Sequence, residues 1–109
     1  MNKKLLLFDV DGTLISYDGT VPQSCKDALK QAKDLGHYVF VVTGRTRNRA
    51  TVGNIEVSGM ICGNGAYIEC EEKVLKDMKL SLEQVKEITD YLDNHDICCL
   101  LYTSDAADD

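Results

Sequence analysis

The chain has 109 residues, enough for one small domain or a piece of a larger one. Its 44% hydrophobic and 28% charged residues permit a packed core, and no apolar run approaches the ~18 residues of a membrane span. The formal charge of −6 argues against a nucleic-acid or anionic-membrane partner, although Asp105, Asp108 and Asp109 crowd the C-terminal end.

The N-terminal "KKLLLFDV" is an apolar run of strand length, consistent with a fully buried parallel strand. It is too short for a secretion signal, and it ends in aspartates rather than in a small-residue cleavage site. "DGTLISYDGT" follows, with Gly12 and Gly19 marking turns, and reads as a tight hairpin or flap. Pro22 then opens a helix that places Cys25, Ala28, Leu29, Ala32 and Leu35 on one face, with Gly36 as its stop.

"HYVFVVTG" is a second buried strand, rich in β-branched and aromatic residues. "RTRNRATVGN" reads as a short basic helix whose Arg45, Arg47 and Arg49 form a solvated face. "GMICGNGAYIEC" gives a third strand, a glycine-rich turn and an outgoing strand, and "EEKVLKDMKL" pairs back as a hairpin. "SLEQVKEITDYLDNHD" is the strongest helical pattern, with Ser81 as N-cap and an apolar stripe of Leu82, Val85, Ile88 and Leu92.

Strand, helix, strand, helix, strand over the first 62 residues predicts an α/β fold with a parallel sheet and right-handed crossovers. Ligands of such sheets bind outside the carboxyl ends of the strands. Asp9 ends the first strand, Thr43 and Gly44 the second, and Asn64 and Gly65 follow the third, so all three loops should open on one edge.

That edge suits phosphoryl chemistry. A carboxylate at a strand end can attack phosphorus and form an acyl-phosphate. A second carboxylate two residues on can protonate the leaving oxygen and then activate water. Two anions facing a phosphate need a cation, and Mg²⁺ matches hard oxygen donors bridging to substrate phosphate. Gly12 permits a sharp turn that lets backbone N–H groups face the phosphate, and Thr43 offers a hydroxyl and an amide at a strand end.

Each element alone is weak. A lone D-x-D describes many solvated turns, and "GNGA" does not complete a G-x-G-x-x-G loop. No G-x-x-x-x-G-K-[ST] occurs, which excludes a P-loop nucleotide hydrolase. His37 and His95 read as surface residues. Cys25, Cys62, Cys70, Cys98 and Cys99 contain no C-x-x-C and are odd in number, so they read as reduced thiols of a cytoplasmic protein rather than a disulfide framework or zinc site.

The combination is specific. "FDVDGTL", then "VVTGR", then "ICGNGAYI" resembles the haloacid dehalogenase superfamily, in particular its Cof-type phosphatase branch, over roughly residues 3–95. The resemblance implies a Rossmann-like three-layer parallel sheet, present as half of the family core, with the beginning of an α+β cap. It implies Asp9 as phosphoryl-accepting nucleophile and Asp11 as acid/base, both at the Mg²⁺ site. It also implies Gly12, Thr13, Thr43, Gly44 and Asn64 around the phosphate. The expected substrate is a small phosphorylated metabolite such as a sugar phosphate. A phosphomutase or dedicated sugar-phosphate phosphatase on the same core is an alternative. A receiver-like phospho-accepting regulatory domain is another, though receivers place adjacent acids on the first strand and their phosphoacceptor on the third.

Members of this branch carry a later lysine that steadies the nucleophile and a later acidic loop that completes the Mg²⁺ site. Neither has a counterpart among the 109 residues. Residues 1–78 therefore read as the N-terminal half of the core and 79–98 as the start of the cap, and little turnover is expected of this polypeptide alone. The end, "CLLYTSDAADD", resembles the translation of a transposase-type sequencing adapter, so residues 99–109 read as a non-native tail. The alternative is a cap strand followed by an acidic tail, and the codons of the segment decide between them.

Overall fold

The first strand, β1 (Leu5–Asp9), alternates exposed Leu5 and Leu7 with half-buried Leu6 and Phe8. The computed structural model that contains it describes residues 2–16, 18–50 and 53–98. Beside β1 runs β2 (Tyr38–Val42), in parallel and in a register that pairs Asp9 with Val42. In β2 the consecutive residues Val39, Phe40 and Val41 are all buried, which requires cover on both faces of the strand. Each fully buried valine there contributes about 1.5–3 kcal/mol of burial.

Next in the sheet is β3 (Gly59–Cys62), parallel to β2 with Val42 paired to Ile61. A short 3-10 turn, Gly63–Gly65, reverses the chain into β4 (Tyr67–Cys70), antiparallel to β3. A turn at Glu71 and Glu72, both at positive φ, then leads into β5 (Lys73–Asp77), antiparallel to β4. The sheet is mixed, with strand order β1-β2-β3-β4-β5. The α/β expectation holds, and parallel pairing is confined to the first three strands.

Connecting the parallel strands are α1 (Gln23–Asp34) and α2 (Arg47–Ala50). Pro22 precedes α1 in an extended conformation, and Gly36 ends it at φ 93°, a left-handed turn that glycine adopts without strain. Leu29 is buried, and Cys25 and Ala32 pack against the core that Val10, Leu14, Val39, Val41, Met60 and Cys62 share.

Three expectations change. β1 is not fully buried: among the described strands it lies at one end of the sheet order, and Leu5 and Leu7 are 57% and 54% exposed. The α1 stripe is narrower than its sequence, with Ala28 and Leu35 exposed, because a single sheet face contacts only part of the helix surface. Among the described residues of 11–20 there is no strand ladder, only an isolated bridge between Asp11 and Ile15. The amides of Thr13, Leu14 and Ile15 all donate to the Val10 carbonyl, and Ser16 N–H donates to Thr20 O to close a small loop. Asp18 holds that loop, accepting from Ser16 Oγ at 2.6 Å and Thr20 Oγ1 at 2.7 Å, which lowers its carboxyl to about 2.

The chain divides into two compact units, 1–77 and 78–109. Within the second, α3 (Leu82–Asn94) is the main described element. Ser81 Oγ accepts from Gln84 N at 3.1 Å while Gln84 Oε1 accepts from Ser81 N at 2.9 Å, a reciprocal capping box. Its apolar stripe is not buried: Leu82 is 91% exposed and Ile88 40%. Periodicity defined that face without supplying a partner for it. No described helix is long and apolar enough to cross a membrane. Residues 99–109 lie outside the described part.

Candidate active site

The register that sets Asp9 against Val42 and Val42 against Ile61 brings three loops level at the carboxyl ends of β1, β2 and β3. From the first loop come Asp9, Asp11, Gly12 and Thr13, from the second Thr43 and Gly44, and from the third Asn64. Asp9 is exposed, and its Oδ1 accepts from Val10 N at 3.0 Å. Gly12, at φ 80°, turns the chain immediately after Asp11 in a conformation that disfavours a side chain. Thr13 has an exposed side chain, but its N–H is committed to Val10 O.

The second and third loops are bound tightly to each other. Thr43 N donates to Ile61 O at 2.9 Å, Gly63 N to Arg45 O at 2.8 Å, and Asn64 N to Thr43 O at 3.1 Å. Thr43 is buried, and its Oγ1 accepts from Arg45 N at 3.0 Å, so this hydroxyl first shapes its own loop. As a hydroxyl it can still donate its own proton. Asn64 adopts a left-handed conformation at φ 54°, and its side-chain Oδ1 lies 3.0 Å from where a Cβ on Gly44 would stand. A side chain at position 44 would therefore displace the Asn64 amide by a few tenths of an ångström.

Arg45, expected on a solvated face, instead closes the site. Its Nε donates to Asp11 Oδ2 at 2.9 Å and its Nη2 to Asp11 Oδ1, a bidentate pair joining the first loop to the second. A third donor, Nη1, reaches Arg49 O at 3.2 Å. The hydrogen bonds from Arg45 hold the Asp11 carboxyl below the ordinary carboxylate range. Arg47 stays exposed but is paired: its Nε donates to the buried Glu69 Oε1 at 3.0 Å, which also accepts from Tyr67 Oη at 2.9 Å. An arginine directly after T-G at a strand end, level with an acidic loop on the neighbouring strand, was the signal for the first pair. For Glu69 the signal was a lone acid on the inward parity of an outgoing strand.

Replacing Arg45 with alanine is expected to raise the Asp11 pKa toward that of a free aspartate. The sign follows from linkage. A depressed folded-state pKa stabilises the fold above the unfolded-state pKa and loses that stabilisation as pH falls through the folded value. The variant should therefore lose less stability than the parent on acidification through this range. A carboxyl ¹³C titration of Asp11 measures it, and an unchanged midpoint in Arg45→Ala would remove the arginine from the account.

Mg²⁺ takes one or two carboxylates together with waters and substrate phosphate. Asp9 and Asp11 supply donors of the right kind, but Asp11 is already engaged by Arg45. Among the described residues no group of three His, Cys, Asp or Glu side chains could hold a metal. The donor chemistry fits the cation, and the number of donors falls short of a closed site.

The chain belongs to the haloacid dehalogenase-like hydrolase family, whose model matches residues 6–107. The pyridoxal phosphate phosphatase YbhA of Escherichia coli is 28% identical over 97% of this chain and 41% of its own length. The phosphatase BT1666 of Bacteroides thetaiotaomicron superposes with a TM-score of 0.72 at 31% identity, covering 88% of this chain and 37% of that one. The subclass IIB sugar phosphatase BT4131 gives a TM-score of 0.68 at 31% identity, covering 86% and 38%. The chain spans 30% of the first curated relative and 41% of YbhA.

Proposed function

We propose that these residues are the nucleophile half of a Mg²⁺-dependent phosphomonoesterase acting on small phosphorylated metabolites, sugar phosphates above all. The observation that supports this reading is the convergence of Asp9, Asp11, Thr43 and Asn64 on one sheet edge, with backbone hydrogen bonds fixing two of the three loops. The sugar-phosphate preference rests on the similarity to BT4131.

In this reading Asp9 attacks phosphorus, the ester oxygen departs with a proton from Asp11, and water that Asp11 activates hydrolyses the aspartyl-phosphate. The bound cation, held by Asp9 and Asp11, would neutralise phosphate charge. Thr43 donates its hydroxyl to a phosphoryl oxygen, and Asn64 and Gly44 shape the wall beside it. The Arg45 pair adds a constraint. It keeps Asp11 ionised, which suits the base step, so Arg45 must release Asp11 before that carboxyl can act as an acid. We read residues 1–78 as core, 79–98 as the start of a cap and 99–109 as adapter-derived.

Two assays test the reading together. The 109-residue chain with a generic phosphomonoester and Mg²⁺ should show little turnover, and robust Asp9-dependent hydrolysis would refute that part. Residues 2–98 grafted in place of the matching segment of YbhA should give a hybrid that hydrolyses phosphomonoesters. Asp9→Asn in the graft should lower kcat by roughly 10³-fold or more, as loss of a covalent nucleophile does. A folded hybrid whose turnover survives Asp9→Asn would end the nucleophile assignment.

A further inference from the structure

Arg45 is anchored at both ends before its pair with Asp11 is counted. Its N–H donates to Thr43 Oγ1 at 3.0 Å and its carbonyl accepts from Gly63 N at 2.8 Å, which fixes its backbone beside Thr43. At the far end, Nη1 donates to the Arg49 carbonyl at 3.2 Å. That bond orients the guanidinium plane from within its own loop. The remaining edge, Nε and Nη2, is a two-donor fork turned toward the β1 loop, and the Asp11 carboxylate fills it.

The carboxylate is the looser of the two partners. The Asp11 side chain is more exposed than that of Arg45, and among the described residues only Arg45 hydrogen-bonds its carboxylate. The Asp11 backbone is held by its bridge to Ile15, so release needs a side-chain rotation and no movement of the loop. An exposed ion pair of this kind contributes little to stability and is readily exchanged. A guanidinium fork fits two oxygens of a phosphate as well as it fits a carboxylate, and a phosphate dianion carries twice the charge.

We propose that the Arg45 fork is a phosphate subsite in which Asp11 stands in while the site is empty. A phosphomonoester dianion entering beside Thr43 takes over Nε and Nη2, and the displaced Asp11 carboxylate is freed to act. Arrival of the substrate itself then supplies the release that the acid step requires. The inference rests on the phosphatase reading and deepens it, because it gives Arg45 a role toward the same phosphate. Lysine at this position would keep the charge and lose the fork.

Inorganic phosphate titrated into the 109-residue chain at constant ionic strength tests this, with NMR of the Arg45 Nε–H and the Asp11 carboxyl carbon. Both signals should move along one binding curve together with the Gly44 and Asn64 amides, and the Asp11 signal should approach that of an unpaired aspartate. Asp11→Asn removes the competitor and should tighten phosphate binding by about threefold, the scale of an exposed ion pair. With Arg45→Ala already in place, the same change should give a clearly smaller gain. Arg45→Lys should weaken binding by about tenfold, because a bidentate contact is lost while the charge stays. Amide spectra report whether each variant is folded, and Arg45→Lys replaces Arg45→Ala as the background if the latter is not. Phosphate that shifts the Gly44 and Asn64 amides but leaves Arg45 and Asp11 paired would overturn the exchange and leave the phosphatase reading standing. An equal gain from Asp11→Asn in both backgrounds would reduce the effect to charge repulsion and overturn it as well. Absence of saturable binding up to about 50 mM, where the free energy of association is slight, would overturn it too. Asp9-dependent turnover of the YbhA hybrid then judges the phosphatase reading by itself.

Discussion

Gly59→Ala should destabilise the first unit by about 2–3 kcal/mol, the upper part of the range for overpacked cores. The residue opens β3 in the middle of the sheet, where a Cβ would stand 2.4 Å from the Glu69 carbonyl oxygen and 2.6 Å from Phe40 Cζ. The carbonyl belongs to the backbone of the neighbouring strand, so it cannot rotate away as a side chain would. The Phe40 ring is itself buried in β2. Relief requires both separating β3 from β4 and displacing Phe40, which disturbs the strand whose register levels the candidate site. Urea denaturation measures the loss. A change below ~0.5 kcal/mol, the scale of an ordinary surface substitution, would mean that the sheet yields more readily than this packing implies.

The second large effect concerns Arg47. Its partner Glu69 has a side chain only 11% exposed, on a strand packed against the core, whereas Arg47 is 45% exposed. Arg47→Ala leaves the carboxylate with Tyr67 Oη as its remaining partner and should cost about 1–2 kcal/mol, reduced from a fully buried pair by the solvent around the arginine. Arg45→Ala removes the same charge two residues away, but its partner Asp11 has a side chain 60% exposed. That variant should lose clearly less stability than Arg47→Ala at neutral pH. Denaturation of the two variants side by side decides whether burial of the acid or loss of the charge governs the result. Equal losses would contradict the argument.

Much of the framework was legible because it depends on local chemistry. The apolar runs before Asp9 and Thr43 announced strands, Pro22 and Gly36 bounded a helix, and Ser81 with Gln84 announced a capped one. The common edge followed from alternation of strands and helices alone. What could not be read was which surfaces find partners. Leu5, Leu7 and Leu82 have the composition of buried residues and remain exposed, because periodicity fixes the direction of a side chain and not what lies opposite. Arg45 and Arg47 read as solvated arginines for the converse reason, and the T-G-Arg signal at Arg45 gains meaning only beside the neighbouring strand. Their partners lie 34 and 22 residues away, and those separations close only once strands are placed side by side.

The hydrogen bonds around Thr43 have a mechanical consequence. Thr43, Arg45, Gly63 and Asn64 are cross-linked through backbone atoms, which dissolved ions do not compete away, so the β2 and β3 loops behave as one stiff jaw. The β1 loop meets that jaw through the exposed guanidinium–carboxylate clasp between Arg45 and Asp11, which salt weakens. Ionic strength therefore loosens one side of the cleft and leaves the other in place. The looser side is the one that carries both aspartates.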